Sequence, residues 1–182
     1  MLKDCGYNVQ AKVLNAMWLG VPQMRERLIF IGVRKDLGLD PVFPKPLPYY
    51  YTLRDALKHI QPTEEEKEAV SIKRYQIYRF YQEIKPGSQH PKRFNLIRCA
   101  WNRPCFTITQ STGNVSTAGP THPDEPRKFT VEETKSICSF PPDYILTGDY
   151  VRQIERLGRA VPPLMMKKIS ETIAREILCK LQ

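Results

Sequence analysis

The chain has 182 residues, 41% of them hydrophobic, with 28 Lys and Arg against 19 Asp and Glu and a formal net charge of +9. Its length and apolar content are those of a globular protein of one ordinary domain or two small lobes, and they exclude a disordered chain. The positive balance points to a polyanion, nucleic acid before an anionic membrane surface; no apolar run approaches the roughly 20 residues of a spanning helix and Met1 to Gln10 lacks a signal-peptide core, so no membrane association and a cytoplasmic location are expected. Cys5, Cys99, Cys105, Cys138 and Cys179 form no C-x-x-C pair and have no histidine at ligand spacing, so neither a metal site nor a disulfide framework is expected.

In chain order, Val9 to Leu14 and Leu28 to Val33 read as two short strands pairing as an antiparallel hairpin, with Gly20 and Pro22 in the connection. Gln23, Arg25 and Arg27 sit at its mouth, either as a solvated turn or as a rigid polar cluster facing something anionic. Pro41, Pro44, Pro46 and Pro48 make Asp40 to Tyr51 an extended linker and a lobe boundary. Thr52 caps a short helix with Leu53, Ala56, Leu57 and Ile60 at helical spacing. Glu64 to Glu68 reads as a solvated helix start, followed by a helix from Ala69 to Ile84 whose Tyr75, Tyr78 and Tyr81 have the spacing of core-edge residues.

From Pro86 to Pro126 the composition predicts loops interrupted by basic side chains (Lys92, Arg93, Arg98, Arg103), with one strand over Phe106 to Thr109. Pro162 and Pro163 then open a terminal helix of about 20 residues and about 30 Å, with Met166, Ile169, Ile173, Ile177 and Leu181 on one face. A helix that long needs more cover than two strands offer, which predicts that part of the fold lies outside this sequence.

Three blocks, in order, resemble the C-terminal half of the DNA cytosine-5 methyltransferases. GYNVQAKVLNAMWLGVPQMRERLIFIG (Gly6 to Gly32) is similar to the family's eighth conserved motif, whose signature is Gln-x-Arg-x-Arg before a strand. HPDEPRKFTVEETKSICSFPPDY (His122 to Tyr144) is similar to the ninth and LGRAVPPLMMKKISETIAREI (Leu157 to Ile177) to the tenth. The resemblance implies an α/β fold, namely the C-terminal remnant of a doubly wound, Rossmann-like methyltransferase domain with an inserted, irregular target recognition lobe. Residues 1–40 would end the catalytic domain, 41–145 would form the recognition lobe, and 146–182 would return to the catalytic domain with the terminal helix.

The resemblance implies site residues as well. Arg27 would hold the flipped target cytosine with Arg25 in support, since strand alternation puts both on one side with Glu26 facing away. Gln23, Arg103, Thr107 and Ile108 would contact DNA, the last three within RPCFTITQ, which looks like the family segment beside the flipped base. Gly158, Arg159, Ala160 and Val161 would lie against S-adenosylmethionine, although Arg159 stands where the family has Asn; Glu132 likewise stands where an arginine is common, so the ninth block is read as a scaffold.

Cys105 follows a proline, as the family's nucleophile does. It lies downstream of the Gln-x-Arg-x-Arg block, whereas the family's Pro-Cys lies upstream, so it is not read as the nucleophile. The sequence holds no Phe-x-Gly-x-Gly, Pro-Cys-Gln or Glu-Asn-Val. Two functional classes follow. One is the DNA-reading portion of a restriction-modification cytosine-5 methyltransferase, inactive alone, with double-stranded DNA and an N-terminal catalytic half as partners; the other is a non-catalytic basic DNA-binding module or truncated remnant. An RNA-directed role is a third option.

Overall fold

The computed structural model describes residues 5–181; the first four residues of the segment 1–40, and Gln182, lie outside the described residues. Strand β1 (Tyr7–Asn15) pairs antiparallel with β2 (Glu26–Arg34), Val13 opposite Leu28 and Ala11 opposite Phe30. The hairpin is as expected, and its connection is a built turn. The side chain of Asn15 accepts from Met17 N–H at 3.2 Å, Gly20 takes the left-handed conformation (φ 89°) that ends the 3-10 turn Ala16–Leu19, and Ala16 N–H donates to the Arg25 carbonyl at 2.8 Å.

Alternation then sorts the two faces of the hairpin. Leu14, Ile31 and Val33 are buried with Ala16, Leu19 and Val21 against Met165, Ile169 and Ile177, while on the other face Val13 (57%), Leu28 (55%) and Phe30 (61%) remain exposed. The terminal helix, α6 (Pro163–Glu176), is 14 residues long, and a 3-10 turn over Leu178–Leu181 follows it. The buried side is Met165, Ile169 and Thr172, the i, i+4, i+7 row. Met166 and Leu181, expected on that face, are exposed: Met166 is one residue out of phase, and the 3-10 turn changes the phase before Leu181.

The segment 40–51 forms neither helix nor strand, as its prolines dictate. Helix α1 (Leu53–Leu57) has Thr52 and Asp55 in a capping box, and α2 (Glu64–Ala69) has the same device in Thr63 and Glu66. The long helix expected from Ala69 to Ile84 is reduced to α3 (Ile77–Gln82). Its first part is pulled away because Ile72 N–H donates to the Pro126 carbonyl (2.9 Å) and Lys128 N–H to the Val70 carbonyl (2.9 Å). Residues 86–126 hold more regular structure than their composition suggests: β3 (Ser88–His90), β4 (Arg93–Arg98) and β5 (Pro120–Thr121) form a three-stranded mixed sheet. No strand forms over Phe106–Thr109. Helices α4 (Val131–Ile137) and α5 (Tyr150–Arg159), the latter capped by Asp149, precede α6, and neither is anticipated from sequence.

Three hydrophobic clusters result. Ile72, Ile77, Tyr81, Ile84 and Leu96 form a small lobe, the hairpin and α6 form the second cluster, and Leu53, Leu57, Cys105, Ile108, Phe129, Ile137, Ile154 and Leu157 lie in the central one. Ile154 and Leu157, from the segment expected to belong with the hairpin, thus pack with the middle of the chain. Among the described residues no helix is long and apolar enough to cross a membrane, and no group of three or more His, Cys, Asp or Glu is placed to hold a metal ion.

Candidate functional site

The Gln-x-Arg-x-Arg turn is pinned to the segment Cys105–Thr107. Cys105 N–H donates to the Pro22 carbonyl (2.9 Å), Met24 N–H donates to the Cys105 carbonyl (2.8 Å), and the Thr107 hydroxyl donates to the Met24 carbonyl. Residues 81 to 83 positions apart in the chain are therefore held at one spot by two backbone bonds and one hydroxyl bond, an arrangement that fixes a site rigidly.

Arg25 is 1% exposed. Its Nη1 donates to the Ile108 carbonyl (2.7 Å), and its Nη2 donates to the carbonyls of Gly158 (2.6 Å) and Ala160 (3.0 Å), while Nε has no partner among the described residues. One guanidinium fork thereby joins the hairpin, the segment around Ile108 and the C-terminal end of α5, where a cation also suits the helix dipole. Burial, and behind it the like charge of Arg27, lowers the pKa of Arg25. The supporting contact expected of Arg25 to a base is corrected: the guanidinium is buried, with both Nη groups bonded to carbonyls inside the protein.

Arg27 is partly exposed, with Nη1 on the neighbouring Glu26 carbonyl at 2.7 Å, and Glu26 is turned outward as alternation requires. Thr107 is also partly exposed, and Arg103 is exposed. Two expected DNA contacts are overturned by burial. Gln23 is fully buried with its amide donating to the Cys138 Sγ (3.2 Å), and Ile108 is fully buried in the central core, leaving only its carbonyl in use.

The expected cofactor residues divide in the same way. The Gly158 and Ala160 carbonyls accept from Arg25, the Ala160 N–H donates to Arg156, and a Cβ on Gly158 would overlap the Thr109 carbonyl, so neither residue has backbone left facing a ligand. These two do not fit a cofactor-binding role; the glycine is there because α5 touches the Thr109 backbone. Arg159 is exposed and held by Gln110 (2.9 Å) and Glu155 (2.7 Å), and Val161 is exposed at 37%.

Cys105 is fully buried, 3.8 Å from the Cys99 sulfur, and burial raises its pKa well above that of a free thiol. A thiol so placed is no nucleophile. The ninth block is a scaffold in detail: Arg127 makes a buried bidentate pair with Glu133 (2.7 and 2.9 Å), and Thr130 and Glu133 form the capping box of α4. Glu132 pairs outward with Lys135 (3.0 Å). Lys128, next to Arg127 in the chain, is fully buried, its Nζ has no partner among the described residues, and burial pushes its pKa down to about 8. Gln110 beside Arg159 and the exposed Phe94 were not singled out from sequence; nothing in the local pattern marks either.

Against known proteins, the family model for C-5 cytosine-specific DNA methylases matches residues 1–175. The chain belongs to that family. It is 30% identical over 188 residues to the type II methyltransferase M1.HphI of Haemophilus parahaemolyticus, covering 93% of this chain and 49% of that protein. It is 32% identical over 193 residues to M.NgoFVII of Neisseria gonorrhoeae, covering 94% and 51%. The chain thus spans about half the length of these curated relatives. A solved E. coli prophage protein assigned as a DNA modification methyltransferase superposes with a TM-score of 0.72 at 18% identity, covering 96% of this chain and 62% of that one, and the S. pombe Dnmt2 methyltransferase with 0.62 at 14%, covering 97% and 58%. The fold is the α/β fold of these methyltransferases.

Proposed function

We propose that the chain is the DNA-reading portion of a cytosine-5 DNA methyltransferase. It cooperates with a catalytic half that supplies the nucleophilic cysteine and most of the S-adenosylmethionine pocket, and it is inactive alone. In this reading the hairpin and α6 are the C-terminal part of a doubly wound domain, the segment 41–145 carries the recognition lobe, and double-stranded DNA is the substrate. The observation that supports it most is the turn itself: Arg27 stays accessible on a backbone locked to Thr107 by the carbonyls and amides of residues 22–24 and 105. A preorganised guanidinium there is suited to the carbonyl oxygen of a base turned out of the helix, with Thr107 and Arg103 against the backbone beside it. Of the four tenth-block residues expected at the methyl donor, Arg159 and Val161 keep exposed side chains that can meet it.

The exposed face of Val13, Leu28 and Phe30 is the surface for the catalytic half, since a two-stranded sheet with one apolar face in water is half a structure. Co-purification with a polypeptide carrying the Phe-x-Gly-x-Gly, Pro-Cys-Gln and Glu-Asn-Val blocks of a relative tests this. A stable heterodimer, lost in Phe30→Asp, is expected. Failure of the wild-type chain to associate, together with salt-sensitive DNA binding without sequence preference, would favour the simple basic module instead.

A further inference from the structure

The small lobe ends in a hairpin whose tip is held with unusual care. Between the paired positions Gln89↔Ile97 and His90↔Arg93 the register shifts, so that Phe94, Asn95 and Leu96 bulge from β4 opposite a single step of β3. His90 is buried, and its Nδ1 accepts from the amides of Lys92 (3.2 Å) and Arg93 (3.1 Å). Its Nε2 therefore carries the proton and donates to Glu83 at 2.9 Å. The Arg93 guanidinium lies 4.6 Å above the Phe80 ring, and the Gln89 amide donates to the Phe94 carbonyl.

Leu96 is sealed in the lobe's core, yet Phe94 on the same bulge is 69% exposed, more than any other described aromatic side chain, with Lys92, Arg93 and Asn95 exposed around it. A tip so tied down, keeping a phenyl ring in water inside a cationic rim, has a polyanion with apolar recesses as its fitting occupant. Duplex DNA is that polyanion, and a two-stranded ribbon is of a width that enters its major groove.

The geometry points to Phe94 as a base-contacting, specificity-determining residue, carried into the major groove by the β3–β4 ribbon while Lys92 meets phosphate. This rests on the DNA-reading role proposed above. The full chain would be used to select bound sequences from a duplex pool randomised at its centre, and its affinity then measured for the selected duplex and a scrambled one across a salt series. Phe94→Ala is expected to lower the preference for the selected duplex by about 5- to 100-fold without changing the salt slope, and Phe94→Tyr to keep most of it. Lys92→Ala should weaken both duplexes alike and lower the slope by about one. Both Phe94 variants should melt with the wild type, since Phe94 joins no core cluster. Sequence-selective binding that Phe94→Ala leaves intact overturns this assignment alone, as does binding without preference or a Phe94→Ala defect confined to association with the catalytic half. No DNA binding by the wild type overturns it together with the reading on which it rests.

Discussion

Arg25 is the residue whose replacement separates an internal role from a ligand-binding one. Its three bonds to the carbonyls of Ile108, Gly158 and Ala160 run from 2.6 to 3.0 Å. A hydrogen bond from a charged donor is worth about 1.5–3 kcal/mol net, but three on one guanidinium do not add, and desolvating the charge opposes them. Arg25→Ala is therefore expected to cost about 3–5 kcal/mol, a large part of the roughly 5–15 kcal/mol that holds a domain folded. Arg25→Met keeps most of the stem and loses all three bonds, so it should approach Ala; Arg25→Lys, a single point charge, should fall between these and the wild type. Urea denaturation followed by circular dichroism gives the three midpoints at constant m. Should Arg25→Ala denature within about 0.5 kcal/mol of the wild type while DNA binding collapses, the guanidinium faces ligand and the structural argument is refuted.

Three further outcomes follow from named contacts. Lys128 has a folded pKa near 8 against 10.5 in the unfolded chain. The unfolded state binds more protons between those values, so burial of Lys128 destabilises fully below pH 8 and is relieved as pH rises toward 10.5. Lys128→Met should stabilise by about 3 kcal/mol at pH 7, with the gain over wild type shrinking by pH 10 in paired melts. Cys105→Ser should leave methyl transfer by the assembled enzyme intact while costing about 1–3 kcal/mol for an added buried hydroxyl; abolished transfer in a folded variant would reinstate the thiol as a nucleophile. Gly158→Ala drives a Cβ into the Thr109 carbonyl, which should cost more than about 3 kcal/mol, read against the conservative control Ala160→Gly.

What could be read from the sequence was local. Alternation, the Thr52 cap and the Pro-rich linker place the hairpin, the first short helix and the extended segment from sequence alone. Burial depends on partners that pattern cannot name. Gln23 and Ile108 look like contacts because they stand in motifs, and both are core because Cys138 and the central cluster surround them. The helix expected from Ala69 begins only at Ile77 because the backbone before it bonds to Pro126 and Lys128, a tertiary choice invisible in a 3.6-residue period. Met165 replaces Met166 in the core through a phase difference of one residue, and Gly158 looks like a ligand-binding glycine until the Thr109 backbone is found against it.

The central claim is that this chain reads DNA for a reaction completed by residues it does not hold. The most direct measurement is transfer of a labelled methyl group from S-adenosylmethionine to duplex DNA, by this chain, by the catalytic half, and by the two mixed. Label is expected only from the mixture, with Arg27→Ala in this chain abolishing it. Incorporation by this chain alone, or none from a mixture whose halves are folded and associated across varied DNA sites, would contradict it.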